Sequence, residues 1–301
     1  MRAKRFLLWG IVLCTFTIIN LYLYLNANQN KEITRNFSLT QEEKITIYFI
    51  TPTYWRHVQK AELIRISHTL LLVHNVHWIL VEDAPNKTKL VTNLLRETSL
   101  RQNYGFKYTH LNEPTPMHFK TKDTDPNWLK PRGVWQRNKA LEWLREHSNS
   151  INTNGVVYFG DDDNTYDLKL FDEIRSTTKV SVFPVALVGG LLVEKPIVVS
   201  EKVTGFNSVW QPNRKYPVDM AGFAINLNLI LEKKNVLFSE NVARGYQETH
   251  LLKQLVDSYD QLEPKATSCR KILVWHTRTQ LPKLRQEKKL KIPSNFNMLD
   301  D

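Results

Sequence analysis

The stretch Val156-Val157-Tyr158-Phe159-Gly160-Asp161-Asp162-Asp163 decides the fold. A short continuous apolar run that breaks at a glycine reads as a strand buried on both faces of a parallel sheet. In open α/β sheets, ligands bind outside the carboxyl ends of the strands, so the three acids stand where a substrate would dock. Adjacent carboxylates repel one another unless a cation neutralises them. An oxygen-rich site of this kind suits Mg or Mn bound partly through substrate phosphates. The other reading is a solvated acidic turn, since Asp is common in turns. The direct entry of the apolar run into the triplet favours the site.

The chain upstream alternates. Ile45 to Ile50 reads as a strand ending at Thr51-Pro52-Thr53, and Leu63, Ile66, Leu70 and Val73 recur at helical spacing. A strand over 76–81 ends in Glu82-Asp83. A helix over 87–103 and a strand over 106–111 follow. Residues 112–131 carry four prolines and read as a long loop, a feature that is usually functional or mobile. A helix over 132–147 then leads to the strand that enters the triplet. Downstream, two apolar runs over 180–192 flank Gly189-Gly190. Residues 219–231 start extended and become helical, 247–258 read as a helix and 271–275 as a last strand. This alternation predicts an α/β protein with a mostly parallel central sheet and flanking helices. The halves on either side of Asp163 are expected to share one sheet.

The N-terminus places the protein. Residues 1–5 include Arg2, Lys4 and Arg5, and 6–25 is an uncharged stretch of the roughly 20 residues that a membrane-spanning helix needs. Positive charge before it keeps the short tail cytosolic and sends the rest across. A cleaved signal peptide fits less well, because the core is long and the Asn26 region is a poor cleavage site. Residues 26–43 are polar and read as a stem. Asn36-Phe37-Ser38 and Asn86-Lys87-Thr88 are glycosylation sequons that fit a lumenal chain. Beyond Cys14, in the apolar stretch, only Cys269 remains, so no disulfide forms within the soluble part; a buried thiol is expected. The net charge is +11. Nucleic acid is the default partner of a basic soluble protein, but the anchor removes it and leaves an anionic small substrate.

Several side chains suit such a substrate. Tyr54 and Asp83 follow strand ends, where a base could stack or donate an N–H. Arg137 falls on the helix stripe of Val134, Leu141 and Leu144. There it needs an anionic partner, either a substrate carboxylate or phosphate or an acid of the triplet. His276 and Arg278 point the same way along an extended segment and suit a diphosphate. Glu248 is either a favourable first-turn charge or the general base that transfer to a hydroxyl requires; the residues alone favour the first.

Seven segments, in order from about Thr46 to Gln286, resemble the β-1,3-glucuronosyltransferases of glycosyltransferase family 43. They are Thr51-Pro52-Thr53-Tyr54, Glu82-Asp83-Ala84, Pro131-Arg132-Gly133 with Gln136-Arg137-Asn138, Gly160 to Asn164, Val188-Gly189-Gly190, Pro217 to Ala224 and Val274 to Thr279. The resemblance implies a GT-A-type fold, with a UDP-sugar-binding half over 44–163 and an acceptor-binding half over 164–301. It implies a Golgi type II membrane enzyme, a homodimer that uses Mn and UDP-glucuronic acid and binds no nucleic acid. On the donor side it implies Pro52, Tyr54, Asp83, Arg132, Arg137, Asp161, Asp162, His276 and Arg278, with Asp163 on the metal. Glu248 becomes the catalytic base. Glu194, Trp210, Arg214 and Asp219 line the acceptor galactoses, and Gln286 reaches the acceptor of a dimer partner. The expected reaction moves glucuronate with inversion to the 3-hydroxyl of a terminal galactose on a protein-linked glycan. Trp210 and Gln286 point to the Galβ1-3Galβ1-4Xyl linkage region of proteoglycans. The alternatives are a broader or N-acetyllactosamine-type acceptor, and an inactive glycan-binding module.

Overall fold

The computed structural model describes residues 19–24, 26, 45–101, 106–120, 130–292 and 294. The chain divides into two compact units, Met1–Lys44 and Ile45–Asp301. In the first, residues 19–24 are helical and exposed. Most of the anchor, the stem and Asn36 lie outside the described residues. Among the described residues no helix is long and apolar enough to cross a membrane.

The second unit runs β1 (Thr46–Thr53), α1 (Gln59–Leu70), β2 (Val76–Glu82), α2 (Lys89–Leu100), β3 (Lys107–Asn112), α3 (Val134–Glu146) and β4 (Gly155–Phe159). It continues with β5 (Thr165–Tyr166), α4 (Leu168–Arg175), β6 (Val180–Val182), β7 (Val185–Ala186), β8 (Val193–Val199) and β9 (Lys202–Asn207). The last elements are β10 (Phe223–Asn226), α5 (Leu227–Glu232), α6 (Gln247–Leu255), β11 (Leu262–Pro264) and β12 (Val274–Trp275). Seven strands form the central sheet in the order β11-β6-β10-β4-β1-β2-β3. Every pairing is parallel except the two made by β10. The mostly parallel sheet with flanking helices is the one the alternating runs predict.

β4 is buried on both faces. Val156 and Tyr158 join one apolar cluster with Phe49, Trp78 and Leu80, while Val157 and Phe159 join another with Ile50, Ile79 and Leu141. Each such side chain contributes about 1.5–3 kcal/mol by leaving water, which fixes the register that delivers the triplet. Gly160 is required where β4 ends, because a Cβ there would lie 2.0 Å from the Phe49 ring. β1 pairs Ile50 with Phe159 and therefore runs on past the end of β4. Thr53 reaches the level of the acids in this way.

The halves do share the central sheet, since β6, β10 and β11 join β4. A second sheet of five strands, β5-β12-β7-β8-β9, also forms and was not expected. The run after Gly189-Gly190 begins as a turn rather than a strand. Leu187, Gly189 and Gly190 all take positive φ, and the chain reverses into β8. The last strand shrinks to Val274–Trp275. Cys269 is free and buried, as expected.

Candidate active site

The three acids beyond β4 have different partners. Asp161 accepts a 2.6 Å hydrogen bond from Arg137 Nη2. Asp162 accepts from the Thr53 hydroxyl at 2.7 Å and pairs with Arg56 at 2.7 Å. Arg56 also pairs with the buried Glu62. The Asp163 carboxylate takes no hydrogen bond or ion pair from a described residue. Burial, then Asp161, Asp162 and Glu62, push it up to about 6. A negative charge raised in this way is complementary to a cation. Among the described residues no three metal-ligating side chains gather. Mg and Mn fit such a place, since they are often bound through one or two carboxylates plus substrate phosphates. Asp163 is the residue that suits this arrangement.

Arg137 meets the triplet rather than open space. It is 6 % exposed, its Nη1 donates to the Arg132 carbonyl at 2.8 Å, and its Nε is buried without a partner. Of the two partners the sequence left open, the acid of the triplet is the one seen. Gly133 makes the approach possible, because its φ is +73° and a Cβ would lie 2.5 Å from Arg137 Nη1.

Tyr54 extends from the end of β1 with its ring exposed. Arg56 lies 4.7 Å and Arg132 5.7 Å from the ring centroid. Asp83, just past β2, accepts from the Thr115 backbone N–H and hydroxyl, each at 2.7 Å. Thus Asp83 also anchors the start of the long loop. Pro52 is half-buried beneath Gly133.

A cavity of about 620 Å³ has Asp219 in its lining, within electrostatic reach of Asp161 and Arg137. Its lining brings together Glu194, Trp210, Arg214, Asp219, Glu248, His276 and Arg278, with Arg244 and Gly245. Arg214 is fixed by the carbonyls of Gly245 (2.6 Å) and Trp210 (3.0 Å). Arg244 lies 4.4 Å from the Trp210 ring. Glu194 accepts from the Ser208 hydroxyl at 2.6 Å. Asp219 caps the short turn Met220–Gly222 and stands 3.8 Å from His276 Nδ1. Burial raises the carboxyls of Glu194 and Asp219. Glu248, in the first turn of α6, is pushed up to about 7 by burial and then by Asp219. A carboxyl poised near neutral pH can take a proton from a hydroxyl.

Gln286 is exposed in the turn Leu284–Lys289 and is not among the cavity-lining residues. Asn86 is exposed. Sequence reasoning missed Thr53, Arg56, Glu62 and Arg65. Their signal was available in the polar residues flanking β1 and studding α1, but spacing alone does not reveal which of them turn toward a strand end.

Residues 66–280 match the family model of glycosyltransferase family 43. The chain is 51% identical over 254 residues to human galactosylgalactosylxylosylprotein 3-beta-glucuronosyltransferase 3, covering 81% of this chain and 74% of that protein. It is 53% identical to rat galactosylgalactosylxylosylprotein 3-beta-glucuronosyltransferase 1, covering 81% and 72%. The Drosophila melanogaster galactosylgalactosylxylosylprotein 3-beta-glucuronosyltransferase I is 44% identical and matches over 93% of this chain and 92% of its own length. With the acid triplet at the end of β4 and a lined cavity beside it, this chain belongs to glycosyltransferase family 43.

Proposed function

We propose that this protein transfers glucuronate from UDP-glucuronic acid to the 3-hydroxyl of a terminal β-galactose, with Galβ1-3Galβ1-4Xyl as the acceptor. The observation that carries the reading is Glu248, a carboxyl raised to about 7 inside a cavity that also holds His276 and Arg278. The relatives' names supply the donor sugar and the acceptor class.

Tyr54, Asp83, Pro52 and Arg132 hold the uridine, with Asp162 and Asp161 behind it. Asp163 would hold Mn, which when bound would neutralise diphosphate charge. His276 and Arg278 face the same diphosphate and stabilise charge as it builds there. Arg137 already carries Asp161 and faces the glucuronate through that pair. Glu194, Trp210, Arg214 and Asp219 place the galactose so that its 3-hydroxyl lies against Glu248. Glu248 removes the hydroxyl proton as the oxygen attacks the anomeric carbon from the face opposite UDP. The bond to the diphosphate breaks, the electron pair leaves with UDP and the configuration inverts, by the logic of inverting glycosidases.

The proposal includes a single-pass type II protein of the Golgi membrane, supported by the basic residues before the apolar stretch 6–25. It also includes a homodimer in which Gln286 reaches the partner's acceptor, supported by its exposure away from this chain's own cavity.

The test is UDP release from UDP-glucuronate with Mn, offering Galβ1-3Gal and N-acetyllactosamine separately. Turnover with digalactose alone is expected. Turnover with lactosamine would move the acceptor to the broader class, and UDP binding without any turnover would support a binding module.

A further inference from the structure

Arg65 is a surface residue of α1, two positions from the core residue Leu63. Its guanidinium nevertheless makes two directed contacts far along the chain. Nη2 donates to the main-chain carbonyl of Asp163 at 2.7 Å, and Nη1 donates to the Thr279 hydroxyl at 3.4 Å. The same Asp163 carbonyl accepts from the Thr277 hydroxyl at 2.6 Å. Thr277 Oγ1 in turn lies 3.1 Å from Thr165 Oγ1. A carbonyl oxygen has two lone pairs, and both are used here.

These bonds join three pieces of chain that sequence separates widely: α1, the turn after β4, and the segment after β12. The turn carries the Asp163 carboxylate, which takes no hydrogen bond or ion pair from a described residue. The segment carries His276 and Arg278. Its start is fixed independently by the His276 N–H, which donates to the Ala186 carbonyl at 2.9 Å. Thr277 and Arg65 then fix the turn against it. The distance between the carboxylate suited to a metal and the His276–Arg278 pair suited to a diphosphate is therefore set by a clasp that touches neither ligand.

We infer that Arg65 is a positioning residue that holds Asp163 in register with the His276–Arg278 pair, so that one metal–diphosphate group can meet both. This rests on the proposed donor site. A charge-assisted hydrogen bond is stronger than a neutral one, and Arg supplies two donors from one rigid plane where Lys supplies a point charge.

The experiment measures UDP binding by calorimetry, with and without Mn, on the full chain in detergent. Arg65→Met keeps the aliphatic stem and removes both donors. It is expected to weaken Mn-dependent UDP binding about tenfold, equivalent to about 1.4 kcal/mol, and to raise the Mn concentration needed. Thermal stability and acceptor KM should stay at wild-type values, because Arg65 is exposed. Thr279→Val should move UDP binding the same way by less, and Arg65→Lys should restore part of it. Unchanged Mn-dependent UDP binding in Arg65→Met overturns the inference. So does a fall in melting temperature with equal losses in metal-free and Mn-loaded binding, which marks a purely structural residue. If wild-type protein binds UDP equally with and without Mn, the reading of Asp163 fails instead, and the two failures are thereby distinguished.

Discussion

Glu248 lies 4.0 Å from Arg214, near enough to feel its charge and too far for a hydrogen bond. Arg214 commits its donors to the carbonyls of Gly245, Trp210 and Gln211. It therefore lowers the Glu248 carboxyl less than burial and Asp219 raise it, and the net position is about 7. The charged form is the base, so kcat/KM for the acceptor should rise with pH through about 7 and then level. Glu248→Gln should reduce kcat by about 10²- to 10⁴-fold and leave Mn-dependent UDP binding intact. A variant that keeps more than a tenth of wild-type kcat would remove Glu248 as base.

The same carboxyl predicts a stability effect of defined sign. Its ordinary value is 4.5 and its folded value about 7. Between these pH values the native state holds the proton that the unfolded chain has lost, so stability falls as pH rises across the window. Glu248→Gln should be more stable than wild type at pH 8, by on the order of 1–3 kcal/mol, and should lose that advantage below pH 4.5. Melting curves at the two pH values check it; an advantage of equal size at both would place its origin elsewhere.

Asp163→Asn should abolish the Mn dependence of UDP binding while the fold survives. The carboxylate has no hydrogen-bond or ion-pair partner among the described residues and stands beside Asp161, Asp162 and Glu62, so its neutralisation relieves repulsion. Calorimetry with Mn titrated into the UDP-loaded protein reads this directly. Wild-type metal affinity in the variant would assign the metal to another acid.

The strand that enters the triplet was legible because its apolar run is continuous and its two faces are both buried. Helix α3 was legible for a similar reason, and its stripe revealed that Arg137 faces inward. The partner of Arg137 was not legible, since a buried Arg needs an anion but the stripe does not say which. The second sheet escaped because β5, β7 and β12 have two residues each, too few to show a period. Arg56 escaped for a topological reason. It lies at Asp162 because β1 overruns β4, a register that only the folded sheet displays. The lining of the cavity came from resemblance in order along the chain. Spacing alone left Glu248 as an ordinary first-turn acid.

Gly245 tests the acceptor side with a change that alters no charge. Its φ is +78°, and a Cβ would lie 2.4 Å from Trp210 Nε1. Only glycine takes that backbone readily and leaves room for the indole. Gly245→Ala should displace Trp210, raise the acceptor KM about tenfold or more, equivalent to at least about 1.4 kcal/mol, and leave Mn-dependent UDP binding as in wild type. Equal changes in donor and acceptor binding would mean that the whole cavity has moved.

Arg56 is the strictest test of how the acids are held. It is half-buried between Asp162 and Glu62, and although burial disfavours its charge, both acids favour it. Burial raises the Asp162 carboxyl, and Arg56 and Thr53 work against that rise. Removing one partner of a buried pair leaves an uncompensated charge and costs about 3–5 kcal/mol. Arg56→Met should therefore destabilise the fold by that order and weaken UDP binding, since Tyr54 also loses the nearer of the two cations beside its ring. Adding Asp162→Asn to Arg56→Met removes one of the two stranded acids. The double variant should regain part of the stability and none of the UDP affinity. A double-mutant cycle in denaturant separates the two effects. Strictly additive losses would show that Arg56 and Asp162 are not coupled, and the ion pair would then have no part in seating the triplet.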